Sequence, residues 1–227
     1  MRAGAAALVR AGACRRMYRQ RVARGRLITI EGLDGAGKST LAAALARELK
    51  ARGARVELLR EPGGVEVSER LRALVKDPAL AMLARTEALL YAAARAQLVE
   101  ERVRPLLDEG TVVLLDRFVD SSLAYQGAGR ALGVEQVRAI NRFATGGLQA
   151  DRTLLLRVDP AVGRSRRRGR ALDPDRLERE SEEFFARVAG AYEQLAREEP
   201  ERIRVLDGER TPERVLGDAL DELADLL

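Results

Sequence analysis

A phosphate-binding loop is the most informative chemical feature of this sequence. It matches the pattern G-x-x-x-x-G-K-[S/T] without a gap, at Gly32, Gly37, Lys38 and Ser39. An apolar run at 27–31 precedes the loop and a helix-forming stretch at 41–50 follows it. Glycines let successive backbone N–H groups face phosphate oxygens, and the helix directs its positive end to the same place. The pattern therefore predicts a nucleoside triphosphate site rather than a plain glycine turn before a helix.

Three polar side chains extend this chemistry. Lys38 suits the β- and γ-phosphates, and the Ser39 hydroxyl suits Mg²⁺. Asp116 ends the apolar run 112–115, a position from which a carboxylate reaches the metal or its water shell. A helix cap or a solvated strand end is the alternative interpretation of Asp116.

Arginines supply the remaining charge. Arg117 follows Asp116, and its planar fork suits a phosphate dianion, although a surface arginine is the alternative in so arginine-rich a chain. Residues 164–170 hold five arginines, which repel one another unless an anion lies among them. We expect this segment to form a lid over the triphosphate; a solvated basic face is the alternative.

Tyr91 and Arg95 lie four residues apart in a helical stretch and so share one face. The tyrosine ring could stack on a base while the arginine bonds its edge. From the spacing alone, a core tyrosine is the simpler interpretation.

Composition excludes several classes of function. The 227 residues contain no histidine, which excludes histidine-based acid–base, nucleophilic and metal chemistry. The single cysteine, Cys14, excludes an internal disulfide and fits a reducing compartment, so we expect a cytoplasmic protein. No apolar run approaches the roughly 20 residues that span a bilayer, and no membrane partner is expected.

The formal charge of +5 comes from residues 1–26, which hold eight arginines and no acid. Without them the 40 basic residues fall to 32 against 35 acidic ones, so no nucleic-acid partner is expected. We interpret 1–26 as a disordered extension without a role in the activity. A targeting segment, a nucleic-acid tail or a true start at Met17 are alternatives.

Apolar runs alternate with helical patterns over the rest of the chain. Strands are predicted at 27–31, 55–59, 111–116, 153–158 and 203–206, and helices at 38–52, 65–76, 79–108, 134–144, 160–169, 174–197 and 211–225. Pro174 and Pro212 follow cap residues and predict two of the helix starts. The expected architecture is a single α/β domain at 27–227, with a five-stranded parallel sheet, helices on both faces and ligands beyond the carboxyl ends of the strands.

Five segments together resemble the thymidylate kinase family. They are EGLDGAGKST at 31–40, REPGG at 60–64, YAAARAQLVE at 91–100, DRFVDSSLAYQG at 116–127 and DRLERES at 175–181. The resemblance implies the P-loop NTPase fold with an arginine-rich lid. It also implies transfer of phosphate from ATP to dTMP with Mg²⁺, which serves dTTP synthesis, and a homodimer for which the helix 79–108 is a candidate surface.

The family's roles carry over to matching positions. The ATP-binding set is Gly32, Leu33, Asp34, Gly35, Ala36, Gly37, Lys38 and Ser39, and the metal set is Ser39 and Asp116. The dTMP set is Asp34, Glu61, Arg72, Tyr91, Arg95, Arg117, Ser121, Ser122, Tyr125 and Gln126. In it, Arg72 and Arg117 hold the 5′-phosphate, Tyr91 and Arg95 hold the base, Tyr125 crowds the 2′ position, and Glu61 supports the metal or the phosphate-binding arginines. The catalytic set is Lys38, Asp34, Arg117 and the lid residues Arg166, Arg168 and Arg170.

Gly35 marks a division within the family. Some members carry an arginine at that position of the loop, whereas the bacterial type has glycine there and places catalytic arginines in the lid. This sequence resembles the bacterial type. Two other functions stay open from the residues themselves: a kinase for another deoxynucleoside or its monophosphate, and a P-loop ATPase switch or partitioning protein without an acceptor.

Overall fold

The computed structural model describes residues 24–168 and 175–227, except for the side chains of residues 167 and 168. Most of the predicted extension, up to residue 23, lies outside the described residues. So do Arg170, the side chain of Arg168 and the predicted helix start at Pro174.

A five-stranded parallel sheet forms the centre of the described chain. The strands are β1 (Leu27–Gly32), β2 (Val56–Arg60), β3 (Val112–Asp116), β4 (Arg152–Arg157) and β5 (Ile203–Asp207). Their order is β2-β3-β1-β4-β5, and every neighbouring pair is parallel. The predicted strands are confirmed to within about one residue at each end.

Helices connect the strands. They are α1 (Lys38–Ala51), α2 (Glu66–Lys76), α3 (Ala84–Leu98), α4 (Arg104–Asp108), α5 (Val119–Ser122), α6 (Val134–Ala144), α7 (Pro160–Arg168), α8 (Glu182–Glu198) and α9 (Pro212–Asp221). The π-helical segment Val99–Val103 joins α3 to α4, and a second one, Leu123–Gly129, continues α5.

Three helix predictions differ from the structure, and one of them is the helix predicted at 211–225, which ends at Asp221. The helix predicted at 79–108 begins only at Ala84, and the one predicted at 174–197 begins at Glu182. The second starts there because the Ser181 side chain accepts the Phe184 N–H and acidic residues occupy the first turn. The helical stretch 119–129 was not predicted. The start at Pro212 is confirmed, with Thr211 as its cap.

Apolar clusters cover both faces of the sheet, as expected for parallel strands buried on two sides. Alternate residues of β3 divide between them: Val112 and Leu114 join one cluster, and Val113 and Leu115 join the other. Within the described ranges, no helix is long and apolar enough to cross a membrane. Because both faces of the sheet are covered, the predicted functional loops lie at its carboxyl edge.

Candidate active site

A cavity of about 410 Å³ opens at the carboxyl edge of the sheet. All ten residues predicted to bind dTMP line it, together with the two predicted metal ligands and with Gly35, Gly37 and Lys38 of the loop. Gly32, Leu33 and Ala36 belong to the loop but do not line the cavity. The structure therefore brings residues from the predicted ATP, dTMP and metal sites together around one cavity.

The phosphate loop has the backbone that its glycines predict. Gly32, Gly35 and Gly37 have φ values of 133°, 84° and 98°, a region that favours glycine. Lys38 is buried at the start of α1 and donates from Nζ to the Leu33 carbonyl oxygen at 2.9 Å. Burial, together with the charge of the nearby Arg117, lowers the pKa of Lys38 to about 8. The negative charge of a phosphate that binds here would raise this pKa, because it favours the ammonium form.

Gly35 lies against helix α7. A Cβ atom at Gly35 would come within 2.3 Å of the Gly163 carbonyl oxygen, and one at Gly163 would approach the Asp34 carbonyl oxygen to 3.0 Å. No side chain fits at position 35 without displacing the backbone of α7. The packing of α7 on the loop thus explains why this chain carries glycine at this position.

Ser39 and Asp116 form the predicted metal pair. The Ser39 hydroxyl donates to Oδ2 of Asp116 at 2.6 Å, so the loop and the end of β3 meet at the cavity edge. Among the described residues there is no group of three or more histidine, cysteine, aspartate or glutamate side chains that could hold a metal. The hydroxyl of Ser39 and the carboxylate of Asp116 are oxygen donors, the ligand type that hard divalent cations take.

Arg117 is the central cation of the cavity. Its φ of 74° is uncommon for a side-chain-bearing residue, and it turns the chain back after β3. The guanidinium contacts Asp34 at 2.5 Å and Ser121 at 2.9 Å, and it lies over the Tyr125 ring at 5.0 Å. The Tyr125 hydroxyl also donates to Asp34 at 3.2 Å. The residues predicted to bind phosphate and sugar therefore contact one another directly.

Glu31, for which the sequence suggested no role, holds this turn in place. Its buried carboxylate accepts the Phe118 N–H at 2.7 Å, the Ser121 hydroxyl at 2.5 Å and the Tyr192 hydroxyl at 2.8 Å. Burial, together with the charge of Asp120, raises the pKa of Glu31 to about 7. One carboxylate thus joins β1, the Arg117 turn and α8.

Arg95 is buried deeply, with 2% of its surface exposed. It donates to Glu61 at 2.7 Å, to Ser122 at 2.9 Å, to the Phe118 carbonyl oxygen at 2.9 Å and to Asn141. Glu61 was expected to support the metal or the phosphate-binding arginines, but its ion pair is with Arg95, at 2.6 Å. The role of Arg95 at the base stays a prediction, because protein groups already bond all three of its nitrogen atoms.

Of the three predicted catalytic arginines of the lid, the side chain of Arg166 alone falls within the described residues. Arg166 donates to the Gly208 carbonyl oxygen at 2.8 Å and does not line the cavity. The Arg168 side chain and Arg170 lie outside the described residues. Their part in phosphate transfer stays a prediction.

Sequence reasoning missed a second wall of the cavity. Asp175, Leu177 and Glu178 line it, and Lys76 of α2 pairs with Asp175 at 2.7 Å. The motif at 175–181 was the available signal. No sequence pattern pointed to Glu87, a fully buried carboxylate on α3 that contacts residues of this wall.

Comparison with known proteins decides the family. A family model described as thymidylate kinase matches residues 30–218, which include the loop, the second half of β1 and all the other strands. The chain belongs to the thymidylate kinase family. The thymidylate kinase of Halalkalibacterium halodurans is 45% identical over 199 residues, covering 87% of this chain and 95% of its own. That of Deinococcus radiodurans is 48% identical over 191 residues, covering 83% and 91%.

The fold agrees with a thymidylate kinase crystal structure. That structure, from Ehrlichia chaffeensis, has a TM-score of 0.74 and 27% sequence identity, and the match covers 88% of this chain and 99% of that one. Thymidylate kinases are P-loop enzymes of the nucleoside monophosphate kinase class. The predicted fold class and enzyme class are therefore confirmed.

Proposed function

We propose that this protein transfers the γ-phosphate of ATP to dTMP and forms dTDP and ADP. The observation that carries the proposal is the continuity of one cavity. It runs from Lys38 and Ser39 of the phosphate loop, past Arg117, to Tyr91 and Gln126. A nucleotide-hydrolysing switch would need only the first part of this cavity.

The reaction needs positioning and charge more than proton transfer. A 5′-phosphate oxygen of dTMP attacks the γ-phosphorus, a new oxygen–phosphorus bond forms, and the bond to the β,γ-bridging oxygen breaks to release ADP. Lys38 and Arg117 both lie beside Oδ1 of Asp34, at 3.9 Å and 2.5 Å, so the two cations are close together at the proposed site of transfer. Arginines of the segment 164–170 are proposed to add charge to the transferring group.

The nucleoside part of dTMP is proposed to lie on the other side of Arg117. The Tyr125 hydroxyl and the Asp34 carboxylate are hydrogen-bonded to each other, and they form the proposed contact with the sugar. Tyr91 is the proposed stacking ring, and burial raises its pKa because a phenolate is disfavoured there. Arg72, whose Nη1 donates to the Pro62 carbonyl oxygen at 2.7 Å, is the proposed second phosphate contact.

Mg²⁺ is proposed as the metal cofactor. The Ser39 hydroxyl and the Asp116 carboxylate, 2.6 Å apart at the cavity edge, are the donors that would hold it or its waters. When bound, the ion supplies positive charge to the phosphates of ATP. Ser39→Ala should weaken the dependence of the rate on Mg²⁺ while the ATP-free protein keeps its stability.

The protein is further proposed to act in the cytoplasm as a homodimer. Phe143 of α6 is 91% exposed and Leu89 of α3 is 56% exposed, and α3 packs against α6. Contiguous patches of exposed apolar side chains mark interaction surfaces, and Phe143 and Leu89 are proposed to belong to one such patch. Phe143→Glu should lower the mass measured by light scattering from that of a dimer to that of a monomer.

A coupled assay of ADP formation tests the activity. ADP should form with dTMP and much more slowly with dCMP or with no acceptor. ATP turnover that dTMP does not affect would support a switch instead, and preference for dCMP would support another nucleotide kinase.

Two arginines of α2 provide a matched pair of variants. Arg72→Ala should raise the KM for dTMP about tenfold or more and leave the KM for ATP nearly unchanged, because a charge-assisted bond to phosphate is lost. Arg70, on the same helix, pairs only with the exposed Glu66 among the described contacts, so Arg70→Ala should change neither constant. Equal effects of the two variants would refute the assignment of Arg72.

A further inference from the structure

Glu87 is a buried carboxylate that the proposed reaction does not use. It lies on α3 one turn before Tyr91, with none of its surface exposed. Three segments meet on it: the π-helical segment after α5, the turn that follows this segment, and the cavity wall around Asp175.

Its two oxygens differ in their nearest partners. Oε1 accepts the Gln126 amide N–H at 2.8 Å and, at the longer distance of 3.3 Å, the Arg130 Nε–H. Oε2 faces Arg176 at 2.7 Å and Arg130 at 3.0 Å. Arg130 is also paired with Glu180 at 2.5 Å. The shorter arginine contacts are therefore made to Oε2, and the shortest contact of Oε1 is with Gln126.

This arrangement determines how the Gln126 amide is oriented. A carboxylate between two guanidinium groups can only accept hydrogen bonds, so the NH₂ group of Gln126 must face it. Gln126 lines the cavity, and the opposite side of its amide is the carbonyl oxygen. The cavity wall therefore presents a hydrogen-bond acceptor at this position, although an amide could in principle present either group.

We propose that Glu87 is a specificity-determining positioning residue, which orients Gln126 so that the site favours a pyrimidine whose N3 carries a hydrogen. Thymine and uracil have such an N–H donor. Cytosine has a lone pair at N3, which would face the amide oxygen and repel it. This inference rests on the proposed binding of dTMP in the cavity.

Replacement of Glu87 by glutamine should reverse the orientation. Arg130 and Arg176 can only donate, so they would hold the new amide by its oxygen. Its NH₂ group would then face Gln126, whose oxygen must turn toward it. The Gln126 NH₂ group would face the cavity and suit a lone pair at N3.

The test compares kcat/KM for dTMP, dUMP and 5-methyl-dCMP in the wild type and in Glu87→Gln. The preference for dTMP over 5-methyl-dCMP should fall about tenfold, a factor that corresponds to about 1.4 kcal/mol. The preference for dTMP over dUMP should stay the same, because both bases carry the N3 hydrogen. A loss that is equal for all three substrates, or no change, would show that Glu87 has only a structural role.

Two further variants separate charge from orientation. Glu87→Gln combined with Arg176→Met removes one charge of each sign and serves if the single variant does not fold; the same tenfold fall is expected. Arg176→Met alone leaves Glu87 paired with Arg130 and should keep the preference of the wild type. If Arg176→Met alone reduced the preference as much, the inference would be wrong. If the wild type phosphorylates none of the three nucleotides, the proposed function fails and not the role of Glu87.

Discussion

Removal of Arg95 should affect stability as much as substrate binding. Arg95→Met would leave the Glu61 carboxylate buried, at 5% exposure, without its ion-pair partner. Removal of one partner from a buried ion pair costs about 3–5 kcal/mol, which is a large part of the usual 5–15 kcal/mol for unfolding. For a domain of this size we expect the melting temperature to fall by about 10 °C.

The double variant Arg95→Met with Glu61→Gln separates the two effects. Methionine refills much of the space, and glutamine removes the unpaired charge. The double variant should therefore recover more than half of the lost free energy of unfolding, while its KM for dTMP stays raised if Arg95 also contacts the base. Urea denaturation gives the free energies, and the four proteins form a double-mutant cycle.

Two results would refute this reasoning. The first is a loss below about 1 kcal/mol in Arg95→Met, which would mean that Glu61 is not confined as the structure indicates. The second is additivity of the two single changes in the double variant, which would mean that the residues do not interact. A KM for dTMP that recovers fully in the double variant would further show that Arg95 has no role at the base.

Three further predictions follow from other contacts. The pKa of Lys38 is lowered to about 8, so its ammonium form is lost as pH rises through that value. We therefore expect kcat/KM for ATP to fall about tenfold per pH unit above pH 8. The control variant Lys38→Met should show low activity that does not change with pH. Glu31→Ala should lower the free energy of unfolding by about 2–6 kcal/mol in urea titrations, since the Phe118 and Ser121 N–H groups lose their acceptor, and Glu31→Gln should lower it less. Deletion of residues 1–23 should leave kcat and both KM values unchanged. Deletion through residue 26 should lower the free energy of unfolding, because the Arg26 carbonyl oxygen accepts the Val113 N–H at 2.8 Å.

The last of these predictions also corrects a boundary. The extension was assigned to residues 1–26 on charge alone, yet Gly25 donates its N–H to the Leu107 carbonyl oxygen and Arg26 pairs with Asp151 at 3.2 Å. The folded domain therefore includes residues before β1. Arginine content could not reveal this, because the contacts of Gly25 are made by its backbone.

Local patterns were sufficient for the strands, the phosphate loop and most of the helices. Continuous apolar runs such as 112–115 predict buried parallel strands, and the loop glycines have the positive φ values that the motif requires. The predicted start of α8 was wrong because residues 175–181 are not helical, and Ser181 with the acidic residues after it caps the helix that begins at Glu182. The residues predicted to line the dTMP site were found together because they follow different strands of one parallel sheet.

The partners of the buried charges were decided by tertiary structure. Arg95 takes Glu61, which is 34 residues away, and Asn141, which is 46 residues away, and no local pattern joins these positions. Glu87 likewise gathers Gln126 and two arginines from distant segments. A buried ionic group has lost its hydrogen bonds with water, so it must pair with whichever polar groups the fold brings beside it. The sequence by itself thus determined which chemistry the chain can perform, and the tertiary structure decided which side chains are available to perform it.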